Sequence, residues 1–462
     1  MIGFGCPTGV LRYDEALCYD GYTVVPPFFD TNTYLINMQG ELVHTWPSKY
    51  CPMSAYLEPD GTLTRMGRVN NPVVRYGGIT GIIEQIDWDG NVVWSYEHNS
   101  EEKGVLSHNI CTMPNGNILA KVEKLVPAEE AYARGRIPGT LLPEVVDGKV
   151  HDGISNFIVI EIDKKTREVV WSWEALDHVG PNNYHTLDIN LTEGSPYSYR
   201  TTGCWLNFNA MEYNPEGDEF MTTIRNLGEI IIVSRKSGKI VWRWGNPANY
   251  GAGRKPGFAF DGDQKLFGPH NPTFLPNGNI LVHDNGWLRP TGNRSRVLEI
   301  SRATGEIVWS FEAKRATNFY SPLQSGAQRL PNGNTLICSC AGGQIFEVTG
   351  GSDPRVIWEF TSPWIMGGKT TPFLVDEHSV INPSCGSHFP ELHLQNFVHR
   401  AYRYGKDFSG FAGRDLSKAS PIDPRIQRYW EQEPWKSGYE ESCKMTAHKV
   451  NFVPVGGSNF VK

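Results

Sequence analysis

Two short elements alternate along this chain, and together they allow few folds. The first is a β-branched pair running into alternating aromatics: Leu42-Val43-His44-Thr45-Trp46, Val92-Val93-Trp94-Ser95-Tyr96, then Val170-Trp171-Ser172-Trp173, Val241-Trp242-Arg243-Trp244, Val308-Trp309-Ser310-Phe311 and Ile357-Trp358-Glu359-Phe360. Large residues recur with the period of two expected of a half-buried strand. The second element is an apolar run, a Pro-Asn-Gly-Asn turn and a returning apolar run. It is complete at Pro114-Asn115-Gly116-Asn117, Pro276-Asn277-Gly278-Asn279 and Pro331-Asn332-Gly333-Asn334, and degenerate at Pro59-Asp60-Gly61 and Pro215-Glu216-Gly217-Asp218. Asn-Gly and Asp-Gly supply the positive φ of tight hairpin turns, so each copy joins two antiparallel strands.

The stretch from His270 to Phe311 shows the whole unit, with strands expected over 270–275, 280–283, 296–300 and 307–311. Four antiparallel strands repeated every 50 to 75 residues or so form a propeller blade. Six aromatic strands give six blades. The N-terminal strands at 23–25, 33–36 and 42–46 lack a first strand, and the segment at 369–375 is expected to supply it. Pairing of N- and C-terminal segments then closes the ring and leaves no open edge. The expected fold is an all-β, six-bladed β-propeller over residues 1–381. Insertions interrupt it at about 126–155, 174–204 and 245–268, and a C-terminal extension, 382–462, packs on it. Long loops on a rigid scaffold are where specificity usually resides.

Composition narrows the function classes. The chain carries 43 Lys and Arg against 50 Asp and Glu, a formal net charge of −7, with no basic cluster, which argues against nucleic acid. No uninterrupted apolar stretch is long enough to span a membrane. The start, Met1-Ile2-Gly3-Phe4-Gly5-Cys6, lacks a basic segment followed by an apolar one, so a cytoplasmic location is expected, or a periplasmic one if a leader has been removed. The nine cysteines are irregularly spaced and are expected to be free thiols.

First strands line a propeller's axis, so equivalent first-strand positions converge. Six places before the turn proline stand Met53, His108, Asn209, His270 and Ser325, with Lys369 at the expected sixth place. A purely structural position would repeat one residue, whereas these differ. Asn207, Trp205, Tyr320, Gln324 and Arg225 are expected near the same mouth. Arg225 is a candidate fork for a tetrahedral oxyanion. No carboxylate falls in the ring, which disfavours calcium, and two neutral imidazoles with amides make a poor transition-metal site. No metal and no cofactor are expected. Neutral imidazole is instead a nucleophile or general base.

The residues around Ser107-His108-Asn109, Trp205-Leu206-Asn207-Phe208-Asn209, Gly268-Pro269-His270-Asn271-Pro272 and Gln328-Arg329-Leu330-Pro331-Asn332-Gly333-Asn334 resemble the bacterial aryl-sulfate sulfotransferase (arylsulfotransferase) family. The likeness runs from about Gly21 to Val375. It implies a six-bladed propeller that moves a sulfuryl group between phenols, without a nucleotide donor, through a sulfated histidine. It implies His270 as the nucleophile, His108 as a second channel histidine, Asn209 as a ligand of the sulfuryl group and Arg225 as its cationic partner. Ser325 matches a family threonine more loosely. Lys369 and the rings of Trp205, Phe208 and Tyr320 are expected to complete the substrate site. At Asn207 the family motif has histidine, and an amide cannot carry a proton in the same way. The implied partner is a small aromatic molecule.

Three other readings stay open at this stage. A divergent member could act as a lyase, hydratase or hydrolase on an aromatic or small polar metabolite, with His108 and His270 as an acid/base pair. The stretches Ser237–Trp242 and Thr304–Trp309 are similar to the tryptophan docking repeats of quinoprotein propellers, but those have eight blades and acidic cofactor ligands not found here. A binding propeller without catalysis is the third.

Overall fold

A computed structural model describes residues 8–422 other than 29, 70, 72–77, 142–143, 147–148, 152, 182, 192–203 and 365–395. The chain divides into two units, 1–420 and 421–462, and the propeller lies in the first.

Six antiparallel sheets make the six blades. From the inner strand outward, blade 1 is Tyr402–Gly405, Gly21–Val25, Thr33–Ile36 and Leu42–Trp46. Blade 2 is Pro52–Leu57, Leu63–Arg68, Gly81–Ile86 and Val92–Glu97. Blade 3 is Gly104–Thr112, Ile118–Pro127, Gly153–Ile162 and Val169–Glu174. Blade 4 is Phe208–Asn214, Glu219–Ile224, Glu229–Ser234 and Ile240–Trp244. Blade 5 is His270–Phe274, Ile280–Asp284, Arg296–Ile300 and Ile307–Glu312. Blade 6 is Gly326–Arg329, Thr335–Ser339, Gln344–Val348 and Val356–Thr361, and Gly9–Tyr13 adds a fifth strand along its outer edge.

The ring closes as expected in kind but not in place. Gly21–Val25 pairs with Tyr402–Gly405, so the closing strand comes from the stretch expected to be an extension. The segment 369–375, including Lys369, lies outside the described residues.

The recurring residues hold neighbouring blades together. In the complete turns, Gly116, Gly278 and Gly333 have φ of 85°, 83° and 87°, a region open to glycine at little cost. The second Asn of each turn, Asn117, Asn279 or Asn334, donates from Nδ2 to a third-strand carboxylate, Glu161, Glu299 or Glu347, at 2.6, 2.7 and 2.7 Å. Those carboxylates also meet an arginine of the next blade: Arg235, Arg329 and Arg403 respectively. Fourth-strand indoles reach the next blade as well, Trp173 to Gly238 O, Trp242 to Arg302 O and Trp358 to Met38 O, at 2.8, 3.1 and 2.8 Å. Among the described residues no helix is long and apolar enough to cross a membrane.

Candidate active site

The inner strands do not run in regular register. Pairing with the second strand slips between Pro52 and Ala55, Ser107 and Ile110, Phe208 and Ala210, and His270 and Thr273. Such bulges re-aim side chains. The backbone is left-handed at His108, Asn207, Asn271, Gln324 and Ser325, with φ of 57°, 55°, 50°, 50° and 82°. Non-glycine residues held there cluster at functional sites.

Blade 1 slips in the same way. Val398 bridges Pro27 while Tyr402 pairs with Val24, so four residues oppose three. His399 therefore holds the sixth inner position that the sequence argument gave to Lys369. The signal was present: His399-Arg400-Ala401-Tyr402 parallels Met53-Ser54-Ala55-Tyr56, and His399 stands six places before Gly405 as Met53 does before Pro59.

His270 is fully buried and its tautomer is set by its partners. Asn285 donates both N–H bonds, to Ser321 O at 2.8 Å and Gln324 O at 3.0 Å. Its Oδ1 must then accept, and His270 Nδ1–H donates to it at 2.7 Å, with Gly268 O also within 3.0 Å. Nε2 keeps the lone pair, and it accepts from the Gln324 N–H at 3.1 Å. Burial, with Arg225 and Arg400 nearby, holds this imidazole well below its usual value, so the ring is neutral at pH 7.

His108 lies on the inner strand of blade 3, its backbone N–H bonded to Gly78 O at 2.7 Å. A Cβ on Gly78 would lie 1.8 Å from Cε1 of that imidazole, so only glycine admits the ring. His399 faces it, with ring centroids 6.5 Å apart. His108 Nδ1 and both nitrogens of His399 are buried without a hydrogen-bond partner. Burial keeps both imidazoles well below the usual range, with Lys121 adding to this at His108 and Arg400 at His399.

Other expected residues are placed differently from one another. Asn209 spends its amide within the fold, Nδ2 on Pro269 O at 2.8 Å and Oδ1 on Thr223 Oγ1 at 2.6 Å. Ser325 Oγ accepts the Cys340 N–H at 3.0 Å and donates to Leu323 O at 3.2 Å. Trp205, expected at the mouth, is 2% exposed and belongs to the same buried core cluster as Phe208, with Nε1 on Ser155 O. A large indole gains more from burial there than from bracketing a ligand. Asn207 is half-buried, and its Oδ1 is buried without a partner. Tyr320 is half-buried, next to Ser321.

Arg225 hydrogen-bonds Pro322 O at 3.3 Å and stacks on Trp287 at 4.7 Å. Both line a cleft of about 400 Å³ together with Gly268 and, from the third insertion, Asn246, Lys255 and Phe267. The insertion thus shapes the way to Arg225, as a specificity loop would. The described cysteines are free thiols, Cys338 and Cys340 among them. Among the described residues no three His, Cys, Asp or Glu side chains gather as a metal site.

A family model described as Arylsulfotransferase (ASST) matches residues 28–350. No curated protein matches the chain. Among solved structures it is similar to a protein of unknown function from Bacteroides caccae, at 14% identity over 74% of this chain and 93% of that one, with a TM-score of 0.45. It is also similar to a virginiamycin B lyase from Staphylococcus aureus, at 12% identity over 77% and 84%, with a TM-score of 0.39. Scores of this size speak to neither reaction nor substrate.

Proposed function

The chain belongs to the arylsulfotransferase family, and on that premise we propose that it moves a sulfuryl group from an aryl sulfate to a phenolic acceptor through a sulfated His270. The observation that carries the reading is the lock between Asn285 and His270. It leaves a neutral ring with its lone pair on Nε2, the form needed for attack on sulfur.

In the first displacement Nε2 bonds to sulfur, the bond from sulfur to the aryl oxygen breaks, and the donor leaves as its phenolate. The Gln324 N–H, freed as Nε2 turns to sulfur, becomes a donor for the non-bridging oxygens alongside Arg225 and Asn207. Burial makes a standing imidazolium at His108 costly, so departure favours donors with acidic phenols. In the second displacement the acceptor oxygen attacks sulfur, its proton passes to His108 and on to solvent, and Nε2 leaves with its lone pair restored. The aryl groups occupy the cleft beside Arg225 and Trp287.

One observation suits a second reading, a lyase or hydrolase with His108 and His270 as acid and base: His108 Nδ1 is buried without a hydrogen-bond partner, open to proton transfer. In either reading the Nε2 lone pair, which accepts the Gln324 N–H, must be uncovered before His270 can act. A chromogenic aryl sulfate, supplied with and without a phenol, separates the two. Sulfuryl transfer predicts phenol-dependent release that is absent in His270→Asn. Release at the same rate without phenol contradicts it.

A further inference from the structure

Arg400 crosses the central channel. From blade 1 its Nη2 donates to Asn209 O of blade 4 at 3.0 Å, and its Nε to Ser325 O beside blade 6 at 3.4 Å. The equivalent inner-strand positions are neutral: Ser54, Asn109, Ala210, Asn271 and Gly326. Ser54, Asn109 and Asn271 tie inner strands together without charge, through His108 O, Met211 and the Ala327 N–H. Bracing the ring therefore does not require a cation here.

The charge is also uncompensated. Arg400 is 1% exposed and its Nη1 has no partner. The other fully buried arginines each meet a carboxylate, Arg65 with Glu84 and Arg403 with Glu347, and Arg400 meets none among the described residues. A buried cation without a counter-charge is costly. Around it stand His399 and His108, three of whose four ring nitrogens have no partner, and Lys121, whose Nζ is spent on Phe208 O at 3.1 Å. The Arg400 cation, with its free Nη1 and the one N–H that each neutral imidazole can offer, suits a compact anion with several oxygens.

We infer that Arg400, with His399 and His108, forms a buried anion site in the channel that receives the tetrahedral oxyanion group of the substrate. The assignment to sulfate rests on the sulfuryl-transfer reading, whereas the need for an anion does not. Binding is tested directly by calorimetry and by the unfolding midpoint in sodium sulfate, against sodium chloride at equal ionic strength. General salting-out by sulfate rises without saturating, whereas a site saturates. The expected result is saturable sulfate binding, weakened about tenfold or more in Arg400→Gln and partly restored in Arg400→Lys. Phenyl sulfate and phenyl phosphate should both compete, and phenol should not. Their relative strength shows which oxyanion the site prefers.

Absence of saturable binding in the wild-type protein overturns the inference, as does unchanged affinity in a folded Arg400→Gln. If that variant does not fold, the wild-type response and Arg400→Lys decide. Arg400-dependent binding without sulfuryl transfer would leave this site standing and remove the proposed reaction. Transfer with no role for Arg400 in binding would do the reverse.

Discussion

Oδ1 of Asn285 lies 2.7 Å from Nδ1 of His270, and the two N–H bonds Asn285 gives to Ser321 and Gln324 leave that oxygen free only to accept. The lone pair on the far nitrogen of His270 is thus a consequence of a residue just past the second strand of the same blade.

Asn285→Leu should lower kcat about a hundredfold while changing KM little, because the tautomer and ring orientation are no longer held. Asn285→Asp keeps an acceptor and should recover part of the loss. Steady-state kinetics on an aryl sulfate checks this, and equal falls in kcat for both variants would point to a merely structural role.

Acid should inactivate the protein late. His270 and His108 are held well below the usual imidazole range, so both stay neutral as pH falls through 6.5, and kcat/KM should stay flat there. Stability behaves differently. The unfolded chain takes up protons below about pH 6.5. Buried His283, pushed down to about 3, does not, so its contribution is lost as pH falls from about 6.5 towards 3. Denaturant midpoints and activity measured on the same pH series separate the two effects.

Two carboxyls act in the opposite direction. Burial raises Glu123 and Glu212 to about 8, so the folded chain keeps protons that the unfolded chain loses near its ordinary carboxylate value of about 4.5. Their contribution is greatest in acid and declines as pH rises to about 8. Glu212→Gln, which still accepts the Phe274 N–H, should be more stable than wild type at pH 8 and no different at pH 4.

Gly78→Ala should cost activity far more than stability. The added methyl meets the His108 ring rather than backbone, so the ring must turn aside. A loss of tenfold or more in kcat/KM is expected, on the order of 1.4 kcal/mol of transition-state binding, with an unfolding midpoint moved by a few degrees.

Blade closure should depend on Glu347. It pairs with buried Arg403 of blade 1 and accepts from Asn334 Nδ2, so Glu347→Ala strands a buried cation and loosens a turn. About 3 to 5 kcal/mol of destabilisation is expected, read from denaturant unfolding.

The blades were legible because their turns and docking indoles repeat the same local physics in each copy. Asn117, Asn279 and Asn334 each bind a third-strand carboxylate, which explains the last Asn of the motif. The closing strand was missed because a Pro-Asn-Gly-Asn turn marks only strands joined by a hairpin. Tyr402–Gly405 meets Gly21–Val25 from the far end of the chain, so no turn announces it. His399 and Arg400 were lost with that strand. Asn285 was invisible for another reason: it acts through a contact across the blade that spacing does not encode. Trp205 shows the converse, since an aromatic beside a site motif can serve the core instead.

The central claim is a covalent one, and the direct measurement is the mass of the protein quenched during turnover of an aryl sulfate without acceptor, with peptide mapping. The account predicts one added SO3 on His270, discharged by a phenol and absent in His270→Asn. Donor consumed with no such adduct at any quench time, and undiminished in the variant, would contradict it.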